Sequence, residues 1–188
     1  MELITTPRLV LRWPIESDFQ TLCETWTDAR VARFMDDFGP RDMPSVREWL
    51  DLHSSGTNRD GTHLQLIPTL RTTATPVGWL GLGASEDPLA TWSFGYAIHP
   101  FHRSNCYATE SLEAALEYCH THLTIDSIWG ECNPHNTASA KVMTNAGLTE
   151  VAPSPTTRRF LYNPTPSTDH GRQRGGQRTA DSGQRTAG

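Results

Sequence analysis

Three strand-like runs, residues 63–70, 77–84 and 90–98, follow one another with only polar turns between them. The separators are Thr72-Thr73-Ala74-Thr75-Pro76 and Ser85-Glu86-Asp87-Pro88, so the second and third runs read as a hairpin. Strands laid down in succession pair antiparallel, because that is the pairing a short loop can close. After residue 98 the pattern changes to helix and strand in alternation. Tyr107–Leu123 carries Ala108, Leu112, Ala115, Leu116, Cys119 and Leu123 on one face and Glu110, Glu113 and Glu117 on another. That is an amphipathic helix, and its glutamates read as a solvated face. A strand over Ser127–Cys132, a short helix over 137–146 between Asn136 and Gly147, and a last strand over Thr157–Tyr162 follow. The whole predicts a mixed sheet in an α+β or α/β arrangement.

The first third is helical. Leu9-Val10-Leu11 reads as a short strand, Ser17 and Gln20 have capping-box spacing, and Phe19, Leu22, Cys23 and Trp26 recur on one face. Further helices are predicted around 29–35 and through Val46, Trp49, Leu50 and His53, ending near Gly56. A length of 188 residues suits one domain with a real core. Past Tyr162 the composition turns to Pro, Gly, Gln and Arg, Gly-Gln-Arg-Thr-Ala occurs at 176–180 and again at 183–187, and large apolar residues cease. Residues 1–162 are therefore read as the folded domain and 163–188 as a disordered tail, which cannot bury enough apolar surface to offset the entropy of ordering.

Charge and composition remove several functional classes. The net charge is −5, and the tail carries +2 of it, leaving the domain at −7. An acidic body suits a cationic amine better than nucleic acid, and four arginines in the tail are few for an RNA tether. No apolar run reaches the roughly 18 residues of a membrane span. Met1–Arg8 has neither a basic leader nor an apolar stretch, so a cytoplasmic location is expected. Cys23, Cys106, Cys119 and Cys132 are widely spaced, which argues against both a disulfide framework and a zinc cluster. The close histidine pairs, His99 with His102 and His120 with His122, lack a supporting carboxylate or thiol, so no metal is expected.

Chemistry is concentrated where Arg103-Ser104-Asn105-Cys106-Tyr107-Ala108 runs into the amphipathic helix. The first turn of a helix has backbone N–H groups without intrahelical acceptors, and the peptide dipoles place partial positive charge there. A phosphate fits such a place, and Arg103 adds a guanidinium.

This segment resembles the pyrophosphate loop of the GCN5-related N-acetyltransferases (GNAT), whose pattern is Gln or Arg, two residues, Gly, one residue, then Gly or Ala. Asn133–Leu148 resembles the same family's strand-to-helix segment, with an Asn and a Ser three residues later. With Thr6–Arg12 and Phe94-Gly95-Tyr96, the chain looks like the RimJ/RimL branch over residues 2–162. The resemblance implies a single α+β (mixed α/β) GNAT-like domain with a central, mostly antiparallel, splayed sheet flanked by helices, and acetyl-CoA as cosubstrate. It also implies an acetyl group moved to a primary amine, of a protein N-terminus or a small molecule, by direct attack. The protein would be a monomer or homodimer.

By the same resemblance, the strand segment Tyr96, Ala97 and Ile98, the loop residues Arg103, Ser104, Asn105, Cys106, Tyr107 and Ala108, and Asn136 and Ser139 hold the cofactor. Ser139 also assists the leaving sulfur. The helical first third shapes the acceptor pocket, which makes Trp26, Phe34, Met35, Phe38 and Trp49 lining residues, unless they are core. The chain departs from the family at three places. Cys106 replaces glycine, in a first turn that is expected to need no positive φ; Ser93 replaces a glutamate before the loop; and Met143 stands where relatives carry an acidic tyrosine. The base is then Glu131, with Asp126 as substitute, or water. A catalytically weak CoA-binding or regulatory protein, a transferase of longer acyl groups and a tail-mediated RNA binder are the competing readings.

Overall fold

The computed structural model describes residues 2–35, 42–54, 62–87, 90–151 and 154–164. Phe38, Gly56 and the expected tail from 165 onward lie outside the described residues. In chain order the elements are β1 (Glu2–Thr5), β2 (Leu9–Arg12), α1 (Phe19–Trp26), α2 (Ala29–Ala32), α3 (Met43–Ser54), β3 (His63–Leu70), β4 (Gly78–Ala84), β5 (Trp92–Ile98), α4 (Tyr107–Leu123), β6 (Ile128–Cys132), α5 (Thr137–Asn145), β7 (Thr149–Val151) and β8 (Arg158–Tyr162). The strands form one sheet in the order β1-β2-β3-β4-β5-β6-β8-β7. Every neighbouring pair is antiparallel except β5–β6. The α4 crossover makes that one pair parallel, as a strand–helix–strand connection requires.

Each sheet face has its own core. On one face α4 and α5 bury Leu112, Ala115, Leu116, Cys119, Ala140 and Met143 against Leu66, Leu80, Leu82, Phe94, Ile128 and Phe160. On the other, α1 and α3 bury Leu22, Cys23, Trp26, Val46 and Leu50 against Ile67, Trp79 and Ala97. The period-two alternation of β3–β5 aims residues into both.

Three local expectations are corrected. Strands β1 and β7 are too short, at four and three residues, to leave a periodic trace. The start of α1 is organised by Asp18 rather than by a Ser17–Gln20 box: its fully buried carboxylate accepts the Ile15 N–H at 2.8 Å and both Arg12 guanidinium nitrogens at 2.7 Å, while Gln20 bonds Glu24. Glu110 does not belong to a solvated face. It accepts from the Thr6 hydroxyl at 2.6 Å, the Arg8 N–H at 2.9 Å and the Arg8 side chain at 2.6 Å, clasping the β1–β2 turn to the first turn of α4.

Candidate functional site

The parallel pair β5–β6 lasts only two residues, Trp92↔Ile128 and Ser93↔Trp129. Beyond it the strands part. Phe94 is the wedge: its ring sits over Gly130, where an added Cβ would lie 2.3 Å from it. Backbone direction on β5 is set by two bonds at its ends. The Trp92 N–H donates across to Ser127 at 3.2 Å, toward β6, and the His99 N–H donates back to Val77 at 2.9 Å, toward β4. Strand alternation then turns the backbone groups of Phe94, Tyr96 and Ile98 toward β6 and those of Ala97 toward β4; the last rung of the ladder takes the Phe94 N–H, so the opening begins at the Phe94 carbonyl and continues along Tyr96 and Ile98. Of the three strand residues expected to hold a cofactor, Tyr96 and Ile98 face the slot, whereas Ala97 pairs with Trp79 and buries its side chain in the α1–α3 core.

The slot leads to the start of α4 through a 3₁₀ turn over Pro100–His102. Ser104 and Cys106 both adopt left-handed backbone, each at φ 62°. Cys106 is the N-cap of α4, and no side chain caps that helix. The expectation that this position needs no positive φ is therefore overturned, and the family's glycine there meets a conformational demand as well as a spatial one. The N–H groups of Tyr107, Ala108 and Thr109 have no acceptor within the helix. Left-handed residues alternating with ordinary ones point successive N–H groups into one concavity, an arrangement suited to an anion.

Arg103 acts differently from the expectation. Its guanidinium donates to Asp28 at 3.0 Å and to the Ile98 carbonyl at 3.4 Å, so its charge is directed to α2 and to the end of the slot. Asp28 is the N-cap of α2, and Arg30, with Arg103 after it against the opposing push of burial, holds its carboxyl well below the usual carboxylate range. Asn105 donates to the carbonyls of His102 and Arg103 at 3.2 and 3.0 Å, bracing the loop from within.

Across the slot, Asn136 caps α5 by accepting the Ser139 N–H at 3.1 Å. The Ser139 hydroxyl lies 2.8 Å from the hydroxyl of Tyr96, which reaches over from β5. Cys132 lines the same corner from β6, with its Sγ 3.8 Å from the Asn136 carbonyl. Burial pushes the Tyr96 phenol well above its ordinary value and raises the Cys132 thiol, so both keep their protons. Met143 is fully buried in the α4–α5 core. The Tyr96 side chain was missed by sequence reasoning, which used only its backbone; its one signal was an aromatic hydroxyl beside a strand expected to border the cofactor.

Of the two carboxylates considered as bases, Glu131 lies across the sheet from the Tyr96–Ser139 corner and Asp126 lies in the loop after α4. Glu131 is exposed on β6, on the face opposite Cys132, and pairs with Arg159 at 3.3 Å. Arg159 also pairs with Asp87 at 3.2 Å and lies 4.8 Å from the centre of the Trp129 ring. Ser93 is level with Trp129 on that side of the sheet. Asp126, in the loop after α4, is bound to His120 at 2.5 Å. Among the pocket candidates, Trp26 is 2% exposed and belongs to the core, edge-on to Trp49 and tilted against Trp79. Trp49, Phe34 and Met35 are half-buried, with Trp49 stacked on His53 at 4.4 Å. Burial lowers the His53 pKa, favouring the neutral ring. Among the described residues, no group of three or more His, Cys, Asp or Glu side chains is placed to hold a metal, and no helix is long and apolar enough to cross a membrane.

Comparison with known proteins finds the acetyltransferase (GNAT) domain family matching residues 8–149. An uncharacterized N-acetyltransferase, p20, of Bacillus licheniformis is 24% identical over 143 residues, 76% of this chain and 80% of that protein. Among solved structures, a GNAT-family acetyltransferase from Bacillus anthracis superposes with a TM-score of 0.70 at 20% identity, over 85% of this chain and 95% of that one. RimL, a ribosomal L7/L12 alpha-N-protein acetyltransferase in complex with coenzyme A, superposes with a TM-score of 0.67 at 15% identity, over 87% of this chain and 98% of that one.

Proposed function

We propose that this chain, which belongs to the GNAT acetyltransferase family, is an acetyl-CoA-dependent N-acetyltransferase of the RimJ/RimL-like branch acting on a primary amine. The observation that carries the reading is the continuity of the β5–β6 opening with the uncapped start of α4. An extended chain bearing amides and ending in a pyrophosphate matches that path: the backbone of Phe94, Tyr96 and Ile98 offers strand-like pairing, and the Ser104–Ala108 backbone offers N–H groups to phosphate. Acetyl-CoA supplies an activated acetyl thioester.

The chain's own residues do the rest. Arg103 holds the loop in register with the slot through Asp28 and Ile98. Asn136 fixes the first turn of α5, which sets Ser139 at the slot corner. Glu131 is the carboxylate assigned to proton acceptance from the amine, directly or through water, on the sheet face that Trp49 also occupies. Phe34, Met35 and Trp49 border the acceptor.

Thermal unfolding with and without acetyl-CoA tests the cofactor assignment, followed by thiol release over a panel comprising peptide N-termini, polyamines and small amines. At about a hundredfold excess over Kd, a ligand that binds only the native state raises Tm by roughly 5–10 °C for a domain of this size. An unchanged Tm at saturating acetyl-CoA defeats the reading. A raised Tm with no thiol release from any amine favours the CoA-binding protein that lacks catalysis.

A further inference from the structure

We propose that the Tyr96 hydroxyl is a positioning group for Ser139, turning the serine O–H toward the sulfur of coenzyme A so that the pair stabilises a thiolate at the corner of the β5–β6 slot. This deepens the acetyltransferase reading and rests on it. The two hydroxyls come from opposite walls, β5 and α5, and approach to 2.8 Å. The phenol also lies 3.3 Å from the Ser139 carbonyl, so its donor end is aimed at residue 139 in either rotation. Two neighbours restrict the pair: the Phe94 ring stacks beside Tyr96 at 6.3 Å and 18°, and the Asn136 cap holds the Ser139 N–H. One turn along α5, Met143 is buried and carries no proton donor.

The argument is a count of hydrogens. Each hydroxyl has one to give, and a serine oxygen can accept while it donates. With Tyr96 donating to the serine oxygen, the serine hydrogen is free to point into the slot. With the serine donating to Tyr96, that hydrogen is spent. A thiolate selects the first arrangement, because a hydrogen bond to an anion is about twice as strong as one between neutral hydroxyls, and burial keeps the phenol protonated and so able to donate to the serine. Cys132, which faces the pair from β6, is also held as the neutral thiol. Arg158 and Glu150, the charged groups behind Cys132 on β8 and β7, pair with each other at 2.6 Å. Glu131, which also acts on the thiol, lies on the opposite face of β6 and pairs with Arg159 at 3.3 Å, so each carboxylate near this corner is matched by a guanidinium. Neither hydroxyl loses its proton in this scheme. As the nitrogen–carbon bond forms and the carbon–sulfur bond breaks, the electron pair stays on sulfur, the amine proton passes to base or water, and sulfur is later protonated by water.

The test needs no acceptor. CoA and desulfo-CoA are titrated calorimetrically into the full chain at about pH 7 and about pH 9, on either side of the ordinary thiol pKa of about 8.5. A hydrogen bond to a charged partner predicts that CoA gains about tenfold over desulfo-CoA on going to the higher pH. Tyr96→Phe and Ser139→Ala should each remove most of that gain, the double variant should lose no more than Ser139→Ala, and desulfo-CoA affinity should stay within about twofold throughout. A gain that survives Tyr96→Phe, or no gain in the unmodified chain, overturns the inference while leaving the cofactor assignment intact. Failure of both ligands to bind overturns both. If Tyr96→Phe does not fold, Ser139→Ala alone decides: a gain that survives it refutes the role of the pair, and a gain it abolishes supports it.

Discussion

Cys106 occupies left-handed backbone at φ 62° and ψ 13°, at the N-cap of a 17-residue helix. A side chain there costs roughly 1–2 kcal/mol against glycine, partly offset by the greater freedom glycine has in the unfolded chain. Cys106→Gly is accordingly expected to raise Tm by about 2–4 °C and to leave CoA affinity equal or better. Chemical denaturation alongside calorimetry checks this, and a less stable glycine variant would show that the cysteine makes a contact worth more than the strain. Residues such as Asn136 and Gly147 were legible in the sequence because capping and helix termination are local: the cap reaches three residues, and Gly147 takes φ 89° where the helix stops. The Tyr96–Ser139 contact joins residues 43 apart and depends on two elements meeting, which no local pattern encodes. The Arg103–Asp28 pair was illegible for the same reason. Asp28 lies 75 positions upstream.

At the scale of elements, α4 is anchored at its first turn by Glu110, whose side chain is only 14% exposed and takes three hydrogen bonds from Thr6 and Arg8. The Arg8 guanidinium also lies 4.8 Å from the centre of the Tyr107 ring. This clasp joins the sheet edge to the helix whose N-terminus is the proposed phosphate site, so it should matter for both stability and binding. Glu110→Ala is expected to cost about 1–3 kcal/mol, since it removes the acceptor of the Arg8 N–H and guanidinium and leaves the Thr6 hydroxyl only the Leu9 carbonyl, whereas Glu113→Ala on the exposed side should stay within about 0.5 kcal/mol. Urea unfolding of the two variants compares them directly, and equal costs would reduce the clasp to an ordinary surface pair. The two segments that carry the clasp lie in or beside the family pattern, Thr6–Arg12 and Arg103–Ala108. Their contact was not visible, because helical periodicity assigns Glu110 to the polar stripe and carries no information about a loop that arrives from the other end of the chain.

Across the whole molecule, a mixed sheet could be anticipated from a hairpin followed by helix and strand in alternation. The parting of β5 from β6 could not, since it follows from one ring seated on one glycine, Phe94 over Gly130. The sheet ends with Tyr162 on β8, and from composition we propose that residues 163–188 contribute nothing to the folded domain. Truncation after Tyr162 should leave Tm and CoA affinity unchanged, and a fall of several degrees would place a docked segment there.

The gap between β5 and β6 also makes the middle of the sheet an edge. Main-chain amides that a neighbouring strand would ordinarily occupy have only solvent to answer them until something extended lies alongside. The amide protons of Tyr96 and Ile98 should therefore exchange with deuterium faster than those of Trp79 and Gly81 on the adjoining β4, and slow when acetyl-CoA is added. The ligand then stands in for a missing strand, and the integrity of the sheet becomes a readout of whether the enzyme is charged.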